Sequence, residues 1–272
     1  MATYLADDTR KVTTTQILEM KQQGKQIAML TSYDFSTARL VDRVGVDIVL
    51  IGDSAGNVMA GNQTTIPVTL DEMIYHGRCV SRAVRRALVV CDMPFGTYHA
   101  SVEDAVRNAV RLFQQSGVDA LKLEGGERVI PAIRAIINTG IPVMGHLGLT
   151  PQSVHVFGGF GLRADTKEEA DRLIREAHML EEAGCFAIVL EKIPAYLTAG
   201  LRQKIRVPLI GIGAGLADGQ VLVVNDLLGY DHSFSPKFVR RYADFETLIT
   251  DAVAHYVSDV KDELFPSDSE WY

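Results

Sequence analysis

Short apolar runs recur along the chain, each about strand length and each leading into a polar or titratable residue. Ile48-Val49-Leu50-Ile51-Gly52 leads into Asp53 and Ser54, and Leu88-Val89-Val90-Cys91 leads into Asp92. Ala120-Leu121-Lys122-Leu123 runs into Glu124, Val143-Met144-Gly145 into His146, and Ala187-Ile188-Val189-Leu190 into Glu191. A continuous apolar run of this length suits a strand buried on both faces, as in a parallel sheet. Between the runs lie stretches that open with a helix cap. Thr69-Leu70-Asp71-Glu72, Ser101-Val102-Glu103-Asp104 and Thr166-Lys167-Glu168-Glu169 each set a hydroxyl three residues ahead of an acid. Gly117 and Gly184 stand where two of these helices should stop.

The pattern predicts a helix over 13–23, a strand over 27–30, a helix over 35–44 and a strand over 48–52. A loop rich in Gly, Asn and Thr follows over 53–68, long enough to be an active-site cover. Helices over 69–86, 101–116 and 127–138 then alternate with strands over 88–92, 120–124 and 142–145. A second long loop, 147–165, contains Gly158, Gly159 and Gly161. It is followed by a helix over 166–183, a strand over 187–190, a short helix over 194–204 and a strand over 208–212. A weaker strand at 220–224 and a helical tail over 235–264 complete the chain. Such alternation indicates βα units and a parallel sheet. Eight units in this length fit a (β/α)8 TIM barrel better than an open sheet. No dinucleotide fingerprint follows the first strand. Residues 1–272 read as a single domain, with the first helix covering the barrel bottom and residues 1–12 polar and loosely attached.

Composition narrows the function. At 272 residues and 47% hydrophobic, the chain can bury one large core. A net charge of −7 argues against a general nucleic-acid surface. No apolar run approaches the ~20 residues that span a bilayer, and residues 1–16 lack the apolar core of a signal peptide. A cytoplasmic protein is expected, with no nucleic-acid or membrane partner. Cys79, Cys91 and Cys185 are unclustered and odd in number, and Cys91 and Cys185 lie within or beside apolar segments, which suits buried thiols better than disulfides or a zinc site.

Five strand ends carrying Asp, Asp, Glu, His and Glu point to one site at the mouth of the barrel. Asp53, Asp92 and Glu124 would end neighbouring strands. Three carboxylates that close repel one another unless a cation joins them, and oxygen-only ligands suit Mg2+. Helix capping is the competing use of such acids. Lys122 lies two residues before Glu124, so both side chains share a strand face; they could be a structural ion pair or part of the site. His146 could orient a substrate oxygen as neutral imidazole or serve only as a structural hydrogen-bonding group. Glu191, expected across the barrel from the acids, is the candidate general base. Gly211-Ile212-Gly213-Ala214-Gly215, with no lysine beside it, suits tight packing slightly better than a phosphate site.

These residues also carry a family resemblance. Met29-Leu30-Thr31-Ser32-Tyr33-Asp34, Gly52-Asp53-Ser54, Asp92-Met93-Pro94-Phe95 and Lys122-Leu123-Glu124 are four of its blocks. Gly145-His146-Leu147-Gly148-Leu149-Thr150-Pro151-Gln152-Ser153 and Ile210-Gly211-Ile212-Gly213-Ala214-Gly215 are two more. Together they make the chain resemble the 3-methyl-2-oxobutanoate (ketopantoate) hydroxymethyltransferase family from about residue 13 to 264. The resemblance implies a barrel of the phosphoenolpyruvate/pyruvate type working in pantothenate synthesis. It implies Mg2+ on Asp53, Asp92 and Glu124, and a 2-oxo acid bound by Ser54, Lys122 and His146 beside Asp53 and Asp92. Glu191 becomes the proton acceptor and 5,10-methylenetetrahydrofolate the co-substrate. A homo-oligomer, a decamer in bacterial members, is implied as well. The chain departs from the family after Gly158-Gly159-Phe160, where Gly161-Leu162-Arg163-Ala164 replaces the usual Lys-Val-Gln-Gly. An Mg-dependent carbon–carbon lyase or phosphonomutase on the same barrel is the main alternative. A Schiff-base enzyme using Lys122 and a non-catalytic barrel are more distant ones.

Overall fold

The computed structural model describes residues 10–272. Residues 1–9 of the expected loose segment lie outside the described residues, whereas Lys11 and Val12 are tied down. Lys11 pairs with Asp119 at 2.7 Å, and the Val12 N–H donates to the Arg86 carbonyl. Helix α1 (Thr14–Gln22) starts from a reciprocal cap in which Thr13 and Gln16 satisfy each other's backbone N–H.

Strands β1 (Ile27–Thr31), β2 (Ile48–Ile51), β3 (Leu88–Asp92) and β4 (Ala120–Glu124) form the first half of a closed parallel barrel. β5 (Val143–Gly148), β6 (Ala187–Glu191), β7 (Leu209–Ile212) and β8 (Gly219–Leu222) form the second half, and β8 pairs with β1 to close it. Helix α2 (Phe35–Arg43) joins β1 to β2. The short α3 (Ala55–Val58) and the capped α4 (Leu70–Ala83) join β2 to β3. α5 (Val102–Ser116) and α6 (Ile130–Asn138) follow β3 and β4. The short α7 (Val154–Phe157) and long α8 (Lys167–Ala183) separate β5 from β6, and α9 (Ala195–Lys204) follows β6.

Strand alternation divides the core in two. Ile48, Leu50, Leu88, Val90, Met144 and Val189 pack inside the barrel, where Ile17 of α1 joins them. Val49, Ile51, Val89, Leu121, Leu123 and Ile188 face outward against the helices. With a side-chain period of two, the next inward positions toward the strand C-termini are Asp92, Lys122, Glu124, His146 and Glu191. The interior is apolar at depth and titratable at one end.

Several elements differ from the expectation. α4 stops at Ala83, not 86, because the Asp42 carboxylate takes the N–H groups of Arg85, Arg86 and Ala87 and draws the chain out of the helix. β5 continues through His146 to Gly148, so His146 is an interior strand residue, paired with Glu124 on one side and Val189 on the other. Both long loops hold a short helix. β8 starts at Gly219, whose absent side chain admits the Ile27 carbonyl.

The chain divides into two compact units after Val223. The C-terminal unit, Val224–Tyr272, holds α10 (Val224–Leu228) and α11 (Phe245–Lys261). The expected helix over 235–264 is therefore shorter, starting where the Asp244 side chain caps the Thr247 N–H. Among the described residues, no helix is long and apolar enough to cross a membrane. Cys91 and Cys185 are buried free thiols, and burial pushes the Cys185 pKa up to about 12.

Candidate active site

The titratable residues at the strand C-termini make a connected buried chain. Asp53 sits in the turn after β2, and its N–H donates to Asp92 Oδ2 at 3.0 Å. Asp92 Oδ1 pairs with Lys122 Nζ at 3.0 Å, the register that places Asp92 beside Lys122. Lys122 Nζ lies 3.2 Å from His146 Nδ1 and 4.0 Å from Glu124 Oε1. His146 Nε2 reaches Glu191 Oε2 at 3.2 Å. All are buried except Glu191, which is partly open. Glu191, expected across the barrel from the acids, is thus linked to them through His146.

Burial is the first influence on every shifted group here. It raises Asp53 well above the usual carboxylate range, helped by the charges of Glu124 and Asp92. Asp92 and Glu124 are raised by burial too, with Lys122 opposing. Burial works against the Lys122 ammonium, but Asp92, Glu124 and Asp53 outweigh it and raise its pKa. Burial and the Lys122 charge lower that of His146. Lys122 is therefore charged and has only hydrogens to offer. It donates to His146 Nδ1, which also lies 3.4 Å from Glu124 Oε1; the ring proton is then on Nε2, which lies 3.2 Å from Glu191 Oε2 without making a hydrogen bond there.

Two residues passed over as site residues hold the acids in place. Gln152, in the 3-10 turn Pro151–Ser153, donates from Nε2 to Asp53 Oδ2 at 2.8 Å and to the Met93 carbonyl at 3.0 Å. Its backbone N–H donates to Glu124 Oε2 at 2.9 Å. The Tyr98 hydroxyl fixes the Gln152 amide by donating to Oε1 at 2.6 Å and accepts the Glu124 N–H at 3.2 Å. Gln152 belongs to the long Gly145–Ser153 block, which was a signal for it; Tyr98 carried none. Ser54 sits 2.7 Å from the buried Tyr33 hydroxyl, at the edge of the group.

The acids suit Mg2+ in chemistry. Three buried carboxylates face one lysine, a charge excess that a divalent cation offsets, and Glu124 Oε1 accepts no hydrogen bond. The donors are all oxygen. They do not form a ready cage. Among the described residues no three His, Cys, Asp or Glu side chains group as metal ligands; Gln152 and Lys122 instead hold oxygens of Asp53 and Asp92. The Gly213–Gly215 stretch is tightly packed, because a Cβ on Gly215 would lie 2.5 Å from Ala195 Cβ.

The long loop after β5 ends in a latch. Arg163 lies 4.1 Å from the Phe157 ring centroid, pairs with Glu169, and donates its N–H to the Lys192 carbonyl. The Lys192 ammonium donates to the Phe160 carbonyl. The segment that departs from the family motif is thus secured by the residue that departs.

The family model described as ketopantoate hydroxymethyltransferase matches residues 11–268. A 3-methyl-2-oxobutanoate hydroxymethyltransferase of Bacteroides fragilis is 56% identical over the full length of both chains. One from Porphyromonas gingivalis is 54% identical, again over both full lengths. One from Flavobacterium johnsoniae is 53% identical over 97% of this chain and 98% of its own. Among solved structures, a phosphonopyruvate hydrolase complex with oxalate and Mg++ superposes with a TM-score of 0.57 at 12% identity, covering 96% of this chain and 92% of that one. A 2,3-dimethylmalate lyase of the PEP mutase/isocitrate lyase superfamily gives 0.58 at 14%, covering 95% and 90%. At such identities the likeness is one of fold.

Proposed function

The chain belongs to the ketopantoate hydroxymethyltransferase family of enzymes, and from that premise we propose that it converts 3-methyl-2-oxobutanoate and 5,10-methylenetetrahydrofolate to 2-dehydropantoate and tetrahydrofolate. The observation that carries this reading is the run of close contacts from Asp92 through Lys122 and His146 to Glu191. It sets a cation that can stabilise an enolate oxygen and a partly open carboxylate that can take a proton on either side of one imidazole.

In this mechanism Lys122, held charged by the acids, binds the substrate carboxylate and stabilises negative charge as it develops. Ser54 contributes a hydroxyl at the edge of the site. Glu191 takes the proton from C3, and the C–H electron pair moves toward the carbonyl oxygen. His146 lies against Glu191, its Nε2 3.2 Å from Oε2, and limits where that carboxylate can sit. Asp53, Asp92 and Glu124 would hold Mg2+, which when bound supplies Lewis acidity toward the substrate oxygens. The enolate carbon then bonds to the one-carbon unit. Both of that carbon's bonds to folate nitrogens break, and one water supplies the hydroxyl oxygen and the protons for the two nitrogens. The proton held by Glu191 completes the new hydroxyl group.

The test is deuterium exchange at C3 of 3-methyl-2-oxobutanoate, followed by NMR in D2O without folate. Exchange that requires Mg2+ and disappears in Glu191→Gln is expected. Undiminished exchange in that variant removes Glu191 as the base, and exchange that survives EDTA removes the metal.

A further inference from the structure

This run of contacts leaves one cavity unused. It measures about 240 Å³ and lies among the ends of β4 and β5, the loop over 148–164 and the first turns of α8. Of the acid–lysine–histidine group only Glu124 lines it; Lys122, His146 and Glu191 do not. A 2-oxo acid held at Lys122 therefore leaves this space free, beside its own site.

The walls suit a flat, mostly apolar ligand. Val129, Leu147, Leu173 and Phe157 supply apolar surface. The wall arginines are already neutralised, Arg163 by Glu169 and Arg172 by Glu176. His99 also lines the cavity, its ring packed 4.1 Å from Tyr98 and 5.1 Å from Phe95 between centroids. Gly96 N–H donates to His99 Nδ1 at 3.2 Å, which leaves the neutral ring a proton on Nε2 to donate. Arg128 is exposed at the rim and makes no ion pair among the described residues.

We propose that this cavity is the co-substrate subsite, taking the reduced pterin ring beside His99 and Phe157 and the glutamate tail at Arg128. The proposal rests on the hydroxymethyl-transfer reading. Small-ligand clefts run from roughly 300 Å³ upward and are apolar with a few placed polar groups. A space slightly below that range holds one fused ring system but not its tail, which must run out over the rim. The rim is where the unpaired guanidinium lies, and a guanidinium forks onto a carboxylate. Glu124 is the shared wall, the one residue of the acid–lysine–histidine group through which this space adjoins the 2-oxo acid.

Isothermal titration calorimetry of the full chain with tetrahydrofolate, as mono- and triglutamate and with Mg2+ present, tests the assignment. Val156 lines the cavity yet is exposed, so Val156→Trp fills the space without disturbing the core. In this variant the Kd for both folates should rise at least tenfold, while the KM of the 2-oxo acid in folate-free exchange moves less than twofold. Arg128→Ala should weaken the triglutamate more than the monoglutamate. Wild-type folate affinity in both variants overturns the subsite. A wild-type chain that exchanges the C3 proton but binds no tetrahydrofolate overturns the co-substrate reading itself, and this subsite with it.

Discussion

Lys122 sets the protonation pattern of its neighbours. Asp92, Glu124 and Asp53 keep it charged against burial, and a charged lysine is a poor Schiff-base nucleophile. Borohydride added with the 2-oxo acid should leave the protein mass unchanged; an adduct on Lys122 would reverse this. Asp53 gives a signed pH dependence. Its folded pKa is raised above the ordinary 3.8, so its contribution to stability is present below that value and lost as pH rises through the folded pKa. Asp53→Asn keeps an acceptor for Gln152 and removes the buried charge. The cation-free Tm near neutral pH should rise, about 2–4 °C per kcal/mol recovered, with the gain fading toward pH 4. Mg2+ should stabilise the wild type more than the variant. Melts in EDTA across this range decide it, and a lower Tm at neutral pH would contradict the argument. Gln152→Leu leaves Asp53 Oδ2, the Met93 carbonyl and the Tyr98 hydroxyl without their partner. A loss of roughly 10–100-fold in Mg2+ affinity is expected, measured by calorimetry; unchanged affinity would reduce Gln152 to a packing residue.

At the scale of elements, Glu191 stands on β6 but owes its position to β5. Gly148 has φ of +90°, and a Cβ there would lie 2.2 Å from the Glu191 carbonyl oxygen. The next N–H, that of Leu149, donates to that same oxygen at 2.8 Å. Gly148→Ala combines strained backbone with a clash and should cost about 1–3 kcal/mol of stability. If Glu191 is the base proposed above, the substitution should also slow C3 exchange more than it raises the KM of the 2-oxo acid, because Glu191 moves and Lys122 does not. The Arg163 latch offers a contrast. Arg163→Ala frees a loop while leaving the barrel core untouched, so protease cleavage over 157–164 should quicken with little change in Tm. Limited proteolysis read by mass spectrometry would show this.

The molecule as a whole depends on closing the barrel at the β1–β8 seam. Gly219 pairs with Ile27 there, and a Cβ on it would meet the Ile27 carbonyl at 2.5 Å. Next to the seam, the buried Asp218 carboxylate gathers Lys21 at 2.8 Å, Arg202 at 3.0 Å and the Leu209 N–H at 3.0 Å. α1 is thereby tied to the barrel floor. Gly219→Val should lower the Tm sharply and shift far-UV and near-UV circular dichroism transitions together, since an unclosed sheet exposes two edges at once. A loss of near-UV signal alone would mean the seam is not what holds the barrel.

The sequence by itself determined the βα rhythm, most helix starts, and a ring of acids and a histidine at the strand ends. Those signals are local. An apolar run, a capping hydroxyl and an alternation of period two each work within a few residues, and the period carries Asp92, Lys122, Glu124, His146 and Glu191 to the inner face. The family motif blocks implied roles for them. Tertiary structure decided what touches what. Gln152 reaches Asp53 across 99 positions of chain, and Asp42 ends α4 from 43 positions away, distances over which no local preference operates. The proton on His146 Nε2, and the link that brings Glu191 to the acids, follow from β4, β5 and β6 lying side by side in register. Charge and burial then set the protonation states, because both are sums over neighbours that only the closed barrel brings together.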